Sequence, residues 1–275
     1  MTWLRPLTRI DRRFAELRAR GRKGLVPFIT AGDPLPEATV DIMHALVEGG
    51  ADLIELGVPY SDPVADGPTI QHASERAIAH DVGIEAILGW VRAFRERDTD
   101  TPVVLMGYLN PIEIHGHARF AAEAVAAGVD GVLVVDVPVE EADTLHPLIE
   151  AGLEQIFLVA PTTTDARLAA IRARARGFIY YVSFAGITGA DRLDPKAVRA
   201  RIAHIRAGGD IPVAVGFGVR DAATAVAVGE LADAVIIGSA LVAKLAEAKD
   251  AAAAATIARN TLAPIRAALD AMLPT

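Results

Sequence analysis

A chain of 275 residues with 52% hydrophobic side chains can enclose a large core, and no apolar run reaches the ~18 residues of a membrane span. Its net charge of −8 argues against nucleic acid or an anionic membrane as the main partner, while an anionic small ligand held by backbone N–H groups stays open. The absence of cysteine excludes disulfides, thiol chemistry and thiolate metal sites.

Charges run through the first 24 residues without the apolar core of a secretory signal, so the expected compartment is the cytoplasm. Ile10, Phe14 and Leu17 recur at helical spacing and predict an amphipathic helix over 9–20. An apolar run at 25–30 reads as a strand ending at Ala31-Gly32-Asp33-Pro34, and a helix over 36–49 stops at Gly49-Gly50. The strand 51–56 follows, then a loop punctuated by Gly57, Pro59, Pro63, Gly67 and Pro68. Helical sequence from 69 to 97 breaks at Gly83. A strand at 103–106 is followed by Gly107-Tyr108-Leu109-Asn110-Pro111. A helix over 117–127 ends at Gly128, and a strand at 131–135 ends in Asp136-Val137-Pro138. Helices over 140–151, 165–175, 195–206 and 221–229 then alternate with strands at 155–159, 178–183, 212–215 and 234–237. A short helix in SALVAKLAE and alanine-rich helical sequence over 251–271, bent at Pro264, complete the pattern.

Strands without polar alternation are covered on both faces, as in parallel sheets. Eight such units in this length predict an α/β fold: one (β/α)8 TIM barrel domain over 1–275, with an extra N-terminal helix. A doubly wound open sheet is the alternative, because periodicity does not show closure.

In a barrel the loops after the strands form the active face. Glu55 closes the second strand, where an unpaired carboxylate costs several kcal/mol of desolvation, and Asp66 lies in the loop after it. The ordinary alternative is a Glu55 tied to a backbone N–H or an arginine. Gly216-Phe217-Gly218 and Gly238-Ser239 follow the last two strands, where barrels often bind phosphate, and Ser239 would open a short helix whose dipole favours an anion. Tyr180 and Tyr181 must point to opposite faces of their strand. Asp33 and Asp62 read as ligands or as Asx turns beside proline, Asp136 as a turn stabiliser or a mouth residue, and the seven histidines as surface or packing residues.

The segment ELGVPYSDPVADGPTIQ at 55–71 closely resembles the second strand and loop of the tryptophan synthase alpha subunit family. VPFITAGDP, MGYLNPI, VDGVLVVDVPVEE, YYVSFAGITGA, VGFGV and IIGSALV match the same family in order, over about residues 8–245. The resemblance implies retro-aldol cleavage of indole-3-glycerol phosphate to indole and glyceraldehyde 3-phosphate, without a cofactor on this chain. It implies Glu55 as the acid–base residue and Asp66 as its partner, and Phe28, Met106, Tyr108 and Tyr180 around the indole, with Thr30 and Tyr180 as polar neighbours. Gly189, Phe217, Gly218, Gly238 and Ser239 fall at the phosphate site, and Asp62, Pro63 and Thr188 in the two closing loops. Phe184 stands where some members carry arginine. The implied partner is a pyridoxal-phosphate-dependent beta subunit in an αββα assembly that receives indole. A lyase acting alone and an idle barrel that only activates the beta subunit are the competing readings, and the intact Glu55 and Asp66 argue against the second.

Overall fold

The computed structural model of the chain describes residues 7–182, 195–216 and 218–272. In chain order the elements are α1 (Arg9–Ala19), β1 (Gly24–Thr30), α2 (Thr39–Glu48), β2 (Ile54–Gly57), α3 (Pro68–Ile78), α4 (Ile84–Arg95) and β3 (Val103–Gly107). Next come α5 (Leu109–His115), α6 (His117–Ala127), β4 (Gly131–Val134), α7 (His146–Glu150), β5 (Glu154–Gln155), β6 (Phe157–Val159), α8 (Asp165–Arg174) and β7 (Ile179–Val182). The last are α9 (Pro195–Arg206), β8 (Val213–Gly216), α10 (Ala222–Gly229), β9 (Ala234–Ile237), α11 (Ser239–Leu245) and α12 (Ala251–Asp270).

Every strand pairing is parallel, in the order β5-β4-β3-β2-β1-β9-β8-β7-β6. The fifth barrel strand is divided because it changes partners. β5 pairs with β4, the Ile156 N–H continues that ladder to the Val132 carbonyl at 2.9 Å, and β6 pairs with β7. That stretch has a neighbour on each side, so the sheet closes on itself and the open-sheet alternative falls away. The fold is the (β/α)8 barrel.

Closure explains why the strands read as continuously apolar. Leu25, Ile29, Ile54, Leu56, Val103 and Leu105 point outward into the large core beneath the helices. Val26, Leu53, Val104, Leu133, Tyr180, Ala214 and Ile236 point inward into a second core inside the barrel. Tyr181 belongs to the outer core, opposite Tyr180, as period-two geometry requires. Ile10, Phe14 and Leu17 of α1 join the inner core, so this helix plugs the N-terminal end, with Phe14 5.7 Å from Phe178. A Thr8–Asp11 capping box starts it.

Departures from the expected elements have local causes. The 107–111 stretch, for which the sequence predicts no element, holds the start of α5 at Leu109, with Pro111 in its first turn, where a missing N–H costs nothing. The Asp136 carboxylate accepts from the Leu109 N–H at 2.9 Å, which settles Asp136 as a stabiliser of that helix start. The expected helix over 140–151 divides into a 3-10 turn at Val139–Leu145 and α7, because Pro147 cannot continue an α-helix begun upstream. Sequence 251–270 is one helix across Pro264.

Charged side chains pin the N-terminal end of the barrel. Asp52, buried just before β2, accepts from the Leu25 N–H at 2.9 Å and pairs with Arg266 of α12 at 3.0 Å. Asp130, just before β4, accepts from the Val103 N–H at 2.8 Å and pairs with Arg95 and Arg9, each at 2.9 Å. Truncating Asp52 leaves the buried Leu25 N–H without its acceptor and costs Arg266 one partner, while Asp270 stays 2.6 Å from that guanidinium. Asp52→Ala is therefore expected to lower the unfolding free energy by about 1–3 kcal/mol in urea titration, and an unchanged unfolding free energy would assign the tie no stabilising role.

Candidate active site

β2 carries one charge into the barrel. Glu55 follows Leu53 on the inward face, flanked in register by Phe28 of β1 and Val104 of β3. It is wholly buried, and neither carboxylate oxygen has a hydrogen-bond partner among the described residues. The alternative of a tied, structural Glu55 is thus not met. Burial alone pushes its pKa from 4.5 to about 8.

Asp66 sits in a different setting, half-buried in the loop after β2. The Tyr108 hydroxyl donates to its Oδ2 at 2.8 Å, and the Ala65 N–H donates to that hydroxyl at 3.0 Å. Gln71 Nε2 donates to the Asp66 carbonyl at 2.9 Å, and Tyr60 packs on Tyr108 with ring centroids 5.1 Å apart. Burial raises the Asp66 pKa, and the Tyr108 hydrogen bond opposes the rise by favouring the anion. Tyr180 lies within electrostatic reach of both acids. Burial first, then the negative charge of Glu55 and of Asp66, hold its hydroxyl well above the usual phenol range, so it stays neutral.

Asp66, Tyr108 and Tyr180 gather at the C-terminal mouth, whereas Glu55 lies wholly buried beneath it and lines neither of the two spaces described next. A cavity of about 620 Å³ is walled by Phe28, Asp66, Met106, Tyr180, Gly238 and Ser239 among others. A smaller recess joins Thr30 and Tyr108 to Phe28, Asp66 and Met106, and the buried Thr30 hydroxyl has no partner among the described residues. α11 begins at Ser239, so its first amide groups lack intrahelical acceptors at the cavity edge. Gly218 adopts φ 61°, a conformation that favours glycine, but does not line the cavity. Phe184, Thr188, Gly189 and Phe217 lie outside the described residues. Asp62 is exposed and accepts from the Ser61 hydroxyl, whereas Asp33 is buried in an ion pair with Arg76.

Sequence reasoning passed over Ile70 and Val135 as wall residues. Val135 lies two positions beyond the inward-facing Leu133, so counting alternate positions would have found it, whereas Ile70 in the first turn of α3 carries no such local signal. Gly216 is set by its neighbour, since a Cβ there would collide with the Tyr180 hydroxyl, and only the folded barrel brings the two together. Among the described residues no three His, Asp or Glu side chains gather as a metal site. His44 serves as a packing residue, its ring 4.8 Å from that of Phe94.

The raised Glu55 pKa carries a stability consequence. A folded-state value of about 8 against 4.5 unfolded means that its contribution is fully present below about pH 4.5 and is lost as pH rises through about 8. Glu55→Gln should therefore be more stable than the parent at about pH 9, by roughly 2–5 kcal/mol, with the gap closing toward about pH 4.5. Parallel stability–pH curves for the two proteins would mean that Glu55 titrates normally.

The family model described as "Tryptophan synthase alpha chain" matches residues 14–269. The tryptophan synthase alpha chain of Xylella fastidiosa (strain M12) is 57% identical over 265 residues, covering 96% of this chain and 99% of the relative. That of Xanthomonas oryzae pv. oryzae (strain MAFF 311018) is 58% identical over 266 residues, with the same coverage of both chains. Among solved structures, tryptophan synthase subunit alpha from Legionella pneumophila str. Paris superposes with a TM-score of 0.90 at 44% identity, over 97% of this chain and 100% of that one. A chain of the M. tuberculosis tryptophan synthase in its aminoacrylate-bound form superposes at 0.85 with 37% identity, over 96% and 100%. By fold and by similarity along nearly its whole length, this chain belongs to the tryptophan synthase alpha chain family.

Proposed function

We propose that this chain cleaves indole-3-glycerol phosphate to indole and glyceraldehyde 3-phosphate, with Glu55 as the acid–base residue and Asp66 as the anion that receives the indole N–H. The observation that carries the assignment is the contrast between the two acids. Glu55 is wholly buried with no hydrogen-bond partner among the described residues, and Asp66 is hydrogen-bonded by Tyr108. Environments that push two carboxyls apart divide acid from base.

Indole leaves poorly until C3 is protonated. With its pKa near 8, Glu55 is a carboxylic acid at neutral pH and can give its proton to C3. The resulting indoleninium carries positive charge on N1–H, which the Asp66 carboxylate stabilises. The C3 side-chain bond then breaks as Glu55, now the anion, takes the proton of the neighbouring hydroxyl, forming the aldehyde and restoring the acid. Protons and electrons balance without a cofactor on this chain.

Phe28, Met106, Tyr108 and Tyr180 supply an apolar slot for the indole, with the hydroxyls of Thr30 and Tyr180 as polar contacts. The phosphate is assigned to the amide groups at Gly238 and Ser239, with Gly189, Phe217 and Gly218 assigned to the same end, and Thr188 to a loop that closes over the substrate, by the resemblance alone. The beta subunit takes up the indole, and pyridoxal phosphate is assigned to that subunit. Val64 and Ile114, 85% and 81% exposed on the mouth loop and on α5, support this rim as the docking face. The cytoplasm is the proposed compartment, and no helix among the described residues is long and apolar enough to cross a membrane.

Glu55→Gln should abolish indole release, measured with purified chain, while substrate still binds; activity within about tenfold of the parent would remove Glu55 from the chemistry. Asp66→Asn should lower kcat by about 10²-fold or more, and an unchanged kcat would dismiss it. Ser239→Asp brings negative charge to the phosphate end and should raise KM at least about tenfold, whereas an unchanged KM would put the phosphate elsewhere.

A further inference from the structure

The loop that bears Asp66 has no regular structure between β2 and α3, and Ser61, Asp62, Val64 and Ala65 along it are exposed. Its anchors are Tyr108 and Gln71. Gln71 belongs to α3 and also reaches the Pro63 carbonyl at 3.4 Å. The position of Asp66 therefore depends on where α3 is held.

Apolar packing holds α3 weakly. Its buried residues are Ala73, Ser74 and Ala77, all small, so little area is removed from water. The strong tie is polar. Arg76 Nε and Nη2 donate to the two Asp33 oxygens at 2.6 and 3.0 Å, a bidentate pair. Asp33 is only 2% exposed and sits three residues beyond Thr30, the end of β1 and a wall of the recess beside Asp66. The Asp33 N–H donates to the Thr30 carbonyl, and the Ala31 N–H to the Gly57 carbonyl, so this turn is itself bound to β1 and β2. The chain of contact runs from β1 through Asp33, Arg76 and α3 to Gln71 and the backbone of Asp66.

We infer that Asp33 and Arg76 are positioning residues for the reaction, fixing Asp66 relative to Glu55 through α3. This inference rests on the reading of Asp66 given above. A misplacement of about 1 Å can cost roughly 10²-fold in rate, so losing the pair should act on turnover. α3 also packs through Ala73 near Val242 of α11, the helix that opens at Ser239, but the first turn of α11 is held by its own hydrogen bonds to the Gly238 carbonyl, so binding at the phosphate end should change far less than turnover.

The test is indole release by the full chain carrying Arg76→Met, Arg76→Lys or Asp33→Asn, below the melting temperature of each variant as recorded by circular dichroism. Arg76→Met should lower kcat by about 30–100-fold. Arg76→Lys, which keeps the charge but loses the planar fork, should lower it by about tenfold, a partial rescue. The dissociation constant of glycerol 3-phosphate should stay within about twofold. In an Asp66→Asn background, Arg76→Met should cost no more than about a further twofold, because the residue it positions is already disabled. A folded Arg76→Met protein with parental kcat, or a full additional loss in the Asp66→Asn background, would overturn the inference. An Asp66→Asn variant with parental kcat would instead overturn the reading of Asp66.

Discussion

Closure of the sheet through residues 154–159 is the constraint on which the other features depend. β4 on one side and β7 on the other share that stretch, and the partner change at Ile156 turns an open ribbon into a barrel. An open sheet would have given each strand two faces covered by helices. The closed one gives the strands an inner face that meets other strands, the α1 plug below and, at Phe28, residues of α3 and α11 above. Water is kept from that interior, and a carboxyl placed there loses its hydration. Glu55 owes its high pKa to this enclosure, since no neighbouring acid contributes to the shift.

A barrel built on weak, non-directional apolar packing still has to hold its ends in register, and charged ties do this work. At the closed end, Asp52 and Asp130 each accept a backbone N–H from a neighbouring strand and an arginine from a helix. At the open end, Asp136 starts α5 and Asp33 binds α3. The two ends differ in what the ties serve. Those below join strands to helices inside the core, whereas those above orient short elements that carry Tyr108 and Asp66.

The mouth then combines a stiff wall with a lightly held loop. Phe28, Glu55, Met106 and Tyr180 stand on strands, and their places follow from register. Asp66 stands on a loop whose order comes from two side chains, Tyr108 and Gln71. Such a division suits a site that must admit a substrate and then surround it, because a loop can move where a strand cannot.

Much of this was legible in the residues alone. Apolar strands at regular spacing, glycines after the last strands, and a glutamate closing the second strand follow from local rules, and the alternation that sends Tyr180 in and Tyr181 out is a property of any strand. What local rules miss involves residues distant in sequence. Whether the sheet closed was decided at Ile156, by which neighbours the fifth strand found. That Glu55 has no hydrogen-bond partner among the described residues was decided by the fold, and Gly216 became necessary because the Tyr180 hydroxyl arrived against it. Likewise Asp33, which reads locally as an Asx turn beside proline, was captured by Arg76, 43 positions along. The sequence by itself determined the elements, their order and their buried faces, because propensity and periodicity act over a few residues. Only the tertiary structure decided closure, desolvation and pairing, because these depend on distances between groups that the chain connects only through long stretches.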